Sequence, residues 1–328
     1  MGDRDADIDA FLAAHGWAGA RRKPLAGDAS FRRYQGLVDG GRRAVLMDAP
    51  PAHEDVGPFI KVARHLYAQG YSAPGILAED AAAGLLLLED LGDDLYTRII
   101  PDGADEKSLY AAAVDLLIDL HRRDARLELP PYDDAAFLEE ADLLVDWFLP
   151  ALEGRPTPEA ARRAYEAAWY EVLPLARRVP DRIVLRDYHA DNLLWLPRRQ
   201  GVRRVGLLDF QDALIGPLAY DLVSLLEDAR RDVAAATTSA MIARYLAALP
   251  ELDPDTFHTA YAVLGAQRNC KIIGIFTRLY ERDHKPVYLD YLPRVWGHLA
   301  RDLAHPAVEP VRRWLDATIP PGLRGRPR

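Results

Sequence analysis

Apolar residues follow two different patterns along this chain of 328 residues. Up to residue 92 they form short runs bounded by turn residues, as at 43–47 and 84–92, which indicates strands. Beyond residue 92 the helical period dominates, and it predicts helices at 109–122, 135–149, 158–178, 222–228, 235–249, 254–280 and 292–303. We therefore predict a small α/β lobe, 1–92, and a larger, mostly helical lobe, 93–328.

Two helices are also predicted within the first lobe. The segment 1–17 is acidic and amphipathic, without the basic start and apolar run of a signal peptide, so we expect a surface helix. Residues 58–69 place apolar side chains at helical spacing, and Gly70 ends the pattern. The longest uninterrupted apolar run, 85–88, is far too short to cross a bilayer, so we expect a soluble protein.

The segment 185–192 reads LRDYHADN and precedes a predicted β-hairpin. The apolar runs 193–196 and 202–208 surround residues that favour a turn, which is the pattern of two buried strands and a tight reversal. Asn192 stands immediately before the first run and Asp209 immediately after the second. The hairpin would thus fix one amide oxygen where its first strand begins and one carboxylate where its second strand ends.

Asp187, Asn192 and Asp209 have the types, order and spacing of a phosphotransferase site. In kinases one Asp takes the proton of the acceptor hydroxyl, while an Asn five residues later and an Asp after the next strand hold the metal. Magnesium prefers a few hard oxygen ligands and keeps some of its waters. We predict Asp187 as the catalytic base and Asn192 and Asp209 as Mg²⁺ ligands. Loop capping alone is the plainer alternative; the hairpin and the downstream segment GPLAYDL, 216–222, favour the kinase site.

These residues resemble the aminoglycoside phosphotransferase and choline kinase superfamily, small-molecule relatives of protein kinases. The resemblance implies a two-lobed α+β fold of the protein-kinase type, with an antiparallel sheet in the small lobe. It also implies that Asp221 braces the backbone of the catalytic loop, although an acid at a helix N-terminus is an equally ordinary interpretation. The triplet LRD, 185–187, departs from the family. Protein kinases have HRD here and aminoglycoside kinases commonly have HGD, so Leu185 stands where both have histidine.

The same resemblance locates a site for ATP. Adenine would bind the backbone of the linker between the lobes, here Glu89, Asp90 and Leu91. The turn GDASFRRY, 27–34, occupies the position of the loop that covers the phosphates, and it predicts nucleotide contacts by Ser30, Phe31, Arg32 and Arg33. It lacks the G-x-G-x-x-G pattern, so a plain hairpin turn is the alternative interpretation.

One departure concerns the phosphate-binding lysine of kinases, which lies on the third strand. Met47 stands near that position, and the strand carries no lysine. Either Arg32 or Arg33 supplies the missing charge, or the protein is a silent nucleotide-binding relative. The intact Asp187, Asn192 and Asp209 favour the first explanation. Lys61 on the following helix is a further candidate, although a solvated helix residue is the more ordinary interpretation.

Composition restricts the partners and the compartment. A net charge of −9 and a pI near 5.5 argue against nucleic acid and anionic membranes as partners, so a small-molecule substrate fits better. No obligate protein partner is evident. Cys270 is the single cysteine, which excludes an intramolecular disulfide and favours the reducing cytoplasm.

Longer segments of the sequence resemble one particular group of kinases within the superfamily. MDAPP after the third strand, LLLLEDLG in the linker, HADNLLWL after the base, and the C-terminal stretch that begins AQRNCK resemble bacterial anomeric kinases of N-acetylmuramate and N-acetylglucosamine. This resemblance implies that ATP and Mg²⁺ are used to phosphorylate the C1 hydroxyl of an amino sugar in peptidoglycan recycling. The alternatives are another kinase of the superfamily, for aminoglycosides, choline or homoserine, or a nonenzymatic nucleotide-binding regulator.

We also predict which residues line the acceptor pocket: Tyr188, His189, Gln211, Asp212, Arg268 and Lys271. Arg268, Lys271 and Arg278 share one face of a helix by the 3.6-residue period. In the cleft this basic face would attract the lactyl carboxylate of N-acetylmuramate or the phosphates. Facing solvent, it would be an ordinary charged surface, paired with Glu281 or Asp283.

Overall fold

The computed structural model describes residues 2–25, 31–123 and 127–327. These residues form two compact units. The sheet unit comprises 1–105 and 191–212, and the helical unit comprises 106–190 and 213–328. The lobe boundary at residue 92 stays a prediction.

The described strands pair in three separate groups. In chain order they are β1 (Arg21–Pro24), β2 (Arg33–Asp39), β3 (Arg42–Asp48), β4 (Ile76–Asp80), β5 (Leu85–Glu89), β6 (Asp181–Val184), β7 (Leu193–Trp195), β8 (Val205–Leu207) and β9 (Leu214–Pro217). Five of them form an antiparallel sheet in the order β1-β2-β3-β5-β4, which confirms the predicted α+β class. The strands β6 and β9 pair in the helical unit, and β7 and β8 in the sheet unit.

Helices make up most of the remaining structure. In chain order they are α1 (Gly2–Ala14), α2 (Gly57–Ala68), α3 (Tyr96–Ile99), α4 (Glu106–Arg122), α5 (Asp134–Ala141), α6 (Leu149–Glu153), α7 (Glu159–Ala176), α8 (Tyr220–Leu226), α9 (Ala235–Ala248), α10 (Pro254–Glu281), α11 (Leu292–Asp302) and α12 (Glu309–Thr318). All but one of the predicted helices correspond to one of these, with ends shifted by a few residues. No helix in the described ranges combines the length and apolarity that a bilayer span requires.

Helix α1 packs on one face of the sheet. Its apolar residues Ile8, Phe11 and Leu12 are buried in one cluster with Ala44 and Leu46 of β3. Because side chains alternate between the two faces of a strand, Ala44 and Leu46 point to the same side. The predicted surface helix is therefore amphipathic, and its apolar side forms part of the core of the sheet unit.

Helix α10 is the centre of the helical unit and packs against α5, α7, α8 and α11. Nearly all of its residues between Phe257 and Leu279 are buried, including polar ones such as Gln267 and Asn269. A helix that is buried on every side carries the core of its unit.

The chain is helical over most of the predicted helix 135–149, but the helix is not regular throughout. The chain instead forms α5, a π-helical turn at Leu144–Phe148, and then α6. Helix α10 approaches the backbone here so closely that a Cβ atom on Gly274 would lie 2.2 Å from the carbonyl carbon of Leu143. The sequence pattern of 135–149 could not show this break, because its partner Gly274 lies far along the chain.

Short elements were missed at the sequence level. The strands β6 and β9 have only four residues each, too few for an alternating pattern to be recognised. Helix α12 contains many charged residues and was not predicted. The π-helical turn and these short strands depend on tertiary packing more than on the local propensity of their residues.

We expect substitutions of two glycines, Gly274 and Gly297, to change the free energy of unfolding in opposite directions. Gly274→Ala should lower the free energy of unfolding by about 1–3 kcal/mol, because the added methyl group overpacks the contact with Leu143. Gly297→Ala in α11 should raise it by about 0.5–1 kcal/mol, because that helical glycine has no atom within 4 Å of its Cβ position. Urea denaturation measures both; equal effects of the two substitutions would contradict the packing at Leu143.

Candidate active site

The loop after β6 is held by a buried carboxylate. Asp221, the second residue of α8, accepts hydrogen bonds from the amides of Leu185 at 2.6 Å and Arg186 at 2.9 Å. Burial raises the pKa of Asp221 to about 7 although both amides favour its charged form. Ser224 on the next turn donates to the carbonyl oxygen of Arg186 at 3.1 Å. The predicted brace of the catalytic loop is therefore confirmed, at a helix N-terminus.

Asp187 sits at the centre of a tight turn in this loop. Its amide donates to the carbonyl of Leu185 at 2.9 Å, and its own carbonyl accepts from the amide of His189 at 3.1 Å. Arg186 has a φ of 68°, a left-handed conformation that costs a residue other than glycine roughly 1 kcal/mol or more. Asp187 is half-buried. The loop therefore holds the predicted base in a defined, partly strained backbone.

An ion cluster in the helical unit involves the residue before Asp187. Glu140 on α5 is paired with Arg186 and also with Lys271 on α10, whose Nζ lies 2.8 Å from its Oε1. The hydroxyl of Tyr132 donates to the same carboxylate. Burial alone would raise the pKa of Glu140, but Lys271 and Arg186 outweigh it and hold that pKa at about 2. Glu140 is therefore an anion that fixes two cations.

The predicted basic face does not point to solvent at its first two positions. Arg268 is 5% exposed, and its guanidinium donates to the carbonyl of Glu227 at 3.4 Å. The side chain of Lys271 is 12% exposed. The solvent-facing alternative is thus wrong for both residues, whereas substrate contact by them stays a prediction.

Tyr188 and His189 point into the helical unit. The Tyr188 hydroxyl is buried and donates to the carbonyl of Ala113 at 2.8 Å. Burial lowers the pKa of His189, which favours a neutral imidazole. Next to it, the amide of Ala190 donates to Asp228 at 3.3 Å. The contact with Ala113 gives the Tyr188 side chain a structural role, and the part of both residues in the acceptor pocket stays a prediction.

The predicted hairpin is confirmed in the sheet unit. Strands β7 and β8 are antiparallel with Leu193 opposite Leu207, and the amide of Leu208 donates to the carbonyl of Asn192 at 3.0 Å. Asn192 and Asp209 therefore lie at the same open end of the hairpin. The second strand is shorter than predicted, because Gly201–Arg204 forms a 3₁₀ turn.

The side chains at this open end carry the kind of oxygen atoms that magnesium prefers, and their role as ligands stays a prediction. Asp209 has a φ of 56°, and its side chain accepts from Gln211 Nε2 at 3.0 Å. The same Nε2 lies 3.1 Å from Asp212, and Gln211 Oε1 is buried without a hydrogen-bond partner. No cluster of three or more His, Cys, Asp or Glu that could hold a metal occurs in the described ranges. One carboxylate with amide oxygens suits Mg²⁺, which completes its coordination with phosphate and water.

Side chains at the predicted adenine linker are engaged within the sheet unit. Glu89 pairs with Arg199 at 2.5 Å and accepts from the amide of Gly75 at 3.3 Å. Asp90 accepts from Arg43 at 2.7 Å. Leu91 packs beside the hairpin, 3.4 Å from the Cβ position of Gly206. These side chains therefore have structural partners, and nucleotide contact through the backbone stays a prediction.

Only the second half of the predicted phosphate loop is described, since 26–30, including Ser30, lie outside the described residues. Phe31 is 63% exposed and stacks on His53 at 4.6 Å. Arg33 opens β2 and is exposed, whereas the Arg32 side chain is 12% exposed. Arg32 lies 3.7 Å from Asp209. Arg32, one of the candidate cations, therefore lies beside a predicted metal ligand.

Sequence reasoning missed two residues of these clusters, Glu54 and Glu140. Glu54 lies 3.8 Å from Arg32, and Glu140 contacts Arg186 and Lys271. Each stands beside another acidic residue and belongs to no motif. Their partners are distant in the chain, so no local signal could have identified them.

Comparisons with known proteins agree with this geometry. Residues 21–255 match the model of a family described as the phosphotransferase enzyme family. An N-acetylmuramate/N-acetylglucosamine kinase from Caulobacter vibrioides is 41% identical, covering 97% of this chain and 97% of its own. The kinase of the same name from Pseudomonas aeruginosa is 38% identical, covering 92% of this chain and 90% of its own.

Solved structures show the same fold at low identity. A choline/ethanolamine kinase family protein from Mesorhizobium loti is 17% identical with a TM-score of 0.62, covering 94% of this chain and 99% of its own. A ternary complex of an aminoglycoside phosphotransferase with streptomycin and ATP is 15% identical with a TM-score of 0.57, covering 88% and 93%. The predicted kinase-like fold is confirmed. With a family model that matches most of its length and relatives near 40% identity, the chain belongs to the phosphotransferase enzyme family.

Proposed function

We propose that this protein is an ATP-dependent kinase that phosphorylates the anomeric C1 hydroxyl of N-acetylmuramate and N-acetylglucosamine, in peptidoglycan recycling in the cytoplasm. The observation that carries the proposal is the near full-length similarity to kinases named for these two sugars. The braced loop of Asp187 and the hairpin ending in Asn192 and Asp209 support the phosphoryl transfer itself.

Asp187 accepts the proton of the C1 hydroxyl in this mechanism. The sugar oxygen then attacks the γ-phosphorus while the bond to the β-phosphate oxygen breaks, and ADP leaves. A C1 hydroxyl is attached to a hemiacetal carbon and is the most acidic hydroxyl of the sugar, so a carboxylate base activates it most easily. Asp221 holds the Asp187 loop at two amides, which limits the reorganisation required of the base.

Asn192 and Asp209 would hold Mg²⁺ in this proposal, and Gln211 would assist in binding the metal or the acceptor. The ion neutralises the charge of the phosphates when it is bound. Gln211 also keeps the Asp209 carboxylate in place through its amide. The acceptor contacts assigned to Tyr188, His189, Asp212, Arg268 and Lys271, and the nucleotide contacts assigned to the linker Glu89–Leu91, belong to the same proposal.

The product tests this function directly. Incubation with ATP and either sugar should give a sugar 1-phosphate, whose phosphorus couples to C1 in NMR spectra. A methyl glycoside blocked at C1 should remain unphosphorylated, because its reactive hydroxyl is absent. Kanamycin and choline serve as acceptors for the alternative kinases. Phosphate on another carbon, or turnover of the methyl glycoside, would show that the acceptor assignment is wrong.

Replacing the base should separate chemistry from nucleotide binding. Asp187→Asn should lower kcat by roughly 10²–10⁴-fold, the usual contribution of a general base, with ATP affinity nearly unchanged. The reason is that the carboxylate acts on the acceptor hydroxyl. Steady-state kinetics and ATP titration measure the two effects, with Asp181→Asn as the control because that aspartate is exposed at the start of β6. Near wild-type turnover of Asp187→Asn would remove it from the mechanism.

Lys271 should distinguish the two sugars. N-acetylmuramate carries a lactyl carboxylate and N-acetylglucosamine does not. Lys271→Met should therefore raise KM for N-acetylmuramate about tenfold more than KM for N-acetylglucosamine, the scale of one charged hydrogen bond. Lys107→Met, on the exposed side of α4, is the matched control. An equal loss for both sugars would mean that Lys271 serves only its pair with Glu140.

A further inference from the structure

The sheet unit lacks both members of the ion pair that kinases place between the third strand and the following helix. Met47 on β3 is fully buried and uncharged. Helix α2, which is described over its whole length, reads GPFIKVARHLYA and contains no acidic residue. The cation and its partner carboxylate must therefore come from elsewhere if ATP phosphates are bound here.

Arg32 and Glu54 provide the same two charges from different positions. Arg32 Nε lies 3.8 Å from Glu54 Oε2, and its Nη2 lies 3.7 Å from Asp209 Oδ1. Burial raises the pKa of the nearby Tyr34 hydroxyl, so this neighbour is neutral at physiological pH. The guanidinium thus lies between two carboxylates, one of which is the predicted metal ligand.

Glu54 fixes the backbone as well as the side chain of this loop. Its Oε1 accepts a hydrogen bond from the amide of Phe31 at 3.2 Å, while its Oε2 faces Arg32. One carboxylate therefore holds the residue before Arg32 and one edge of the guanidinium. The opposite edge is directed to Asp209, and the planar, multidentate guanidinium suits binding to either carboxylate or phosphate.

We propose that Arg32, oriented by Glu54, replaces the strand lysine and exchanges partners: it neutralises Asp209 in the absence of nucleotide and binds the phosphates of ATP when Mg²⁺ takes Asp209. This inference rests on the proposed ATP-dependent function. Its physical consequence is that metal and nucleotide bind interdependently. A divalent ion alone meets a carboxylate already paired with a cation, whereas Mg²⁺ bound to ATP supplies Arg32 with a new anionic partner.

Metal binding without nucleotide provides the first test. Mn²⁺, followed by electron paramagnetic resonance, is titrated into the full-length protein without ATP or sugar. Arg32→Met should bind Mn²⁺ about tenfold more tightly than wild type, because the competing cation is gone. Glu54→Gln should bind Mn²⁺ more weakly than wild type, because Arg32 no longer shares its charge with Glu54 and pairs more strongly with Asp209, while the Phe31 amide keeps an acceptor.

Nucleotide binding provides the second test. Calorimetric titration with Mg-ATP should show a loss of about tenfold or more in affinity for Arg32→Met and a smaller loss for Glu54→Gln. The control is Arg42→Met, an exposed arginine on β3 whose partner is Asp39, and it should match wild type in both titrations. Arg32→Lys retains the charge without the fork geometry of the guanidinium. Its affinity for Mg-ATP should therefore lie between those of wild type and Arg32→Met.

Opposite signs for metal and nucleotide in Arg32→Met support the exchange, because a merely structural role would weaken both. Weaker Mn²⁺ binding in Arg32→Met, or unchanged Mn²⁺ affinity, would overturn it, as would stronger Mn²⁺ binding in Glu54→Gln. Failure of the proposed function is seen separately: wild-type protein would bind no Mg-ATP, or would phosphorylate neither sugar while both titrations keep the expected signs.

Discussion

Two hydrogen bonds from the Leu185 and Arg186 amides to Asp221 are the constraint on which the Asp187 loop of the helical unit depends. The carboxylate is fully buried, and burial of a charge without partners would cost several kcal/mol. Both amides belong to the turn that presents Asp187, so the same contacts that satisfy Asp221 fix the turn. The helix that carries Asp221 also supplies Ser224 to the next carbonyl. The loop is thus oriented by α8.

This brace explains how the loop keeps a conformation that its sequence disfavours. Arg186 has a positive φ where the aminoglycoside kinases commonly have glycine, and glycine takes that conformation without steric cost. Amide bonds to a charged acceptor contribute about 1.5–3 kcal/mol each, more than the roughly 1 kcal/mol of strain. In return the arginine side chain reaches Glu140, which also binds Lys271. The departure from glycine therefore adds a cation next to Asp187.

The sequence predicts those parts of the site whose residues are close along the chain. Asp187 and Asn192 stand in one short segment, and Asp209 follows the hairpin that the apolar runs 193–196 and 202–208 predict. Long helices such as α10 can be predicted equally well, because each turn repeats the same spacing of apolar residues. The ion pairs could not be predicted: Glu54 meets Arg32, and Glu140 meets Lys271, only after the chain has folded. The π-helical turn after α5 belongs with them, since its cause is the packing of Gly274.

The end of β3 has partners on both faces without the lysine that kinases carry on this strand. Side chains on a strand alternate, so Met47 lies on the face away from α1, while Asp48 lies on the α1 face and pairs with Arg4 at 2.6 Å. Each face of the strand end is thus satisfied without a lysine: one by apolar packing, the other by an ion pair that anchors α1. A lysine at Met47 would need a carboxylate on α2, and that helix has none. In the proposed arrangement Arg32 and Glu54 balance the charge beside Asp209, because without Arg32 the two carboxylates would lie there without this cation.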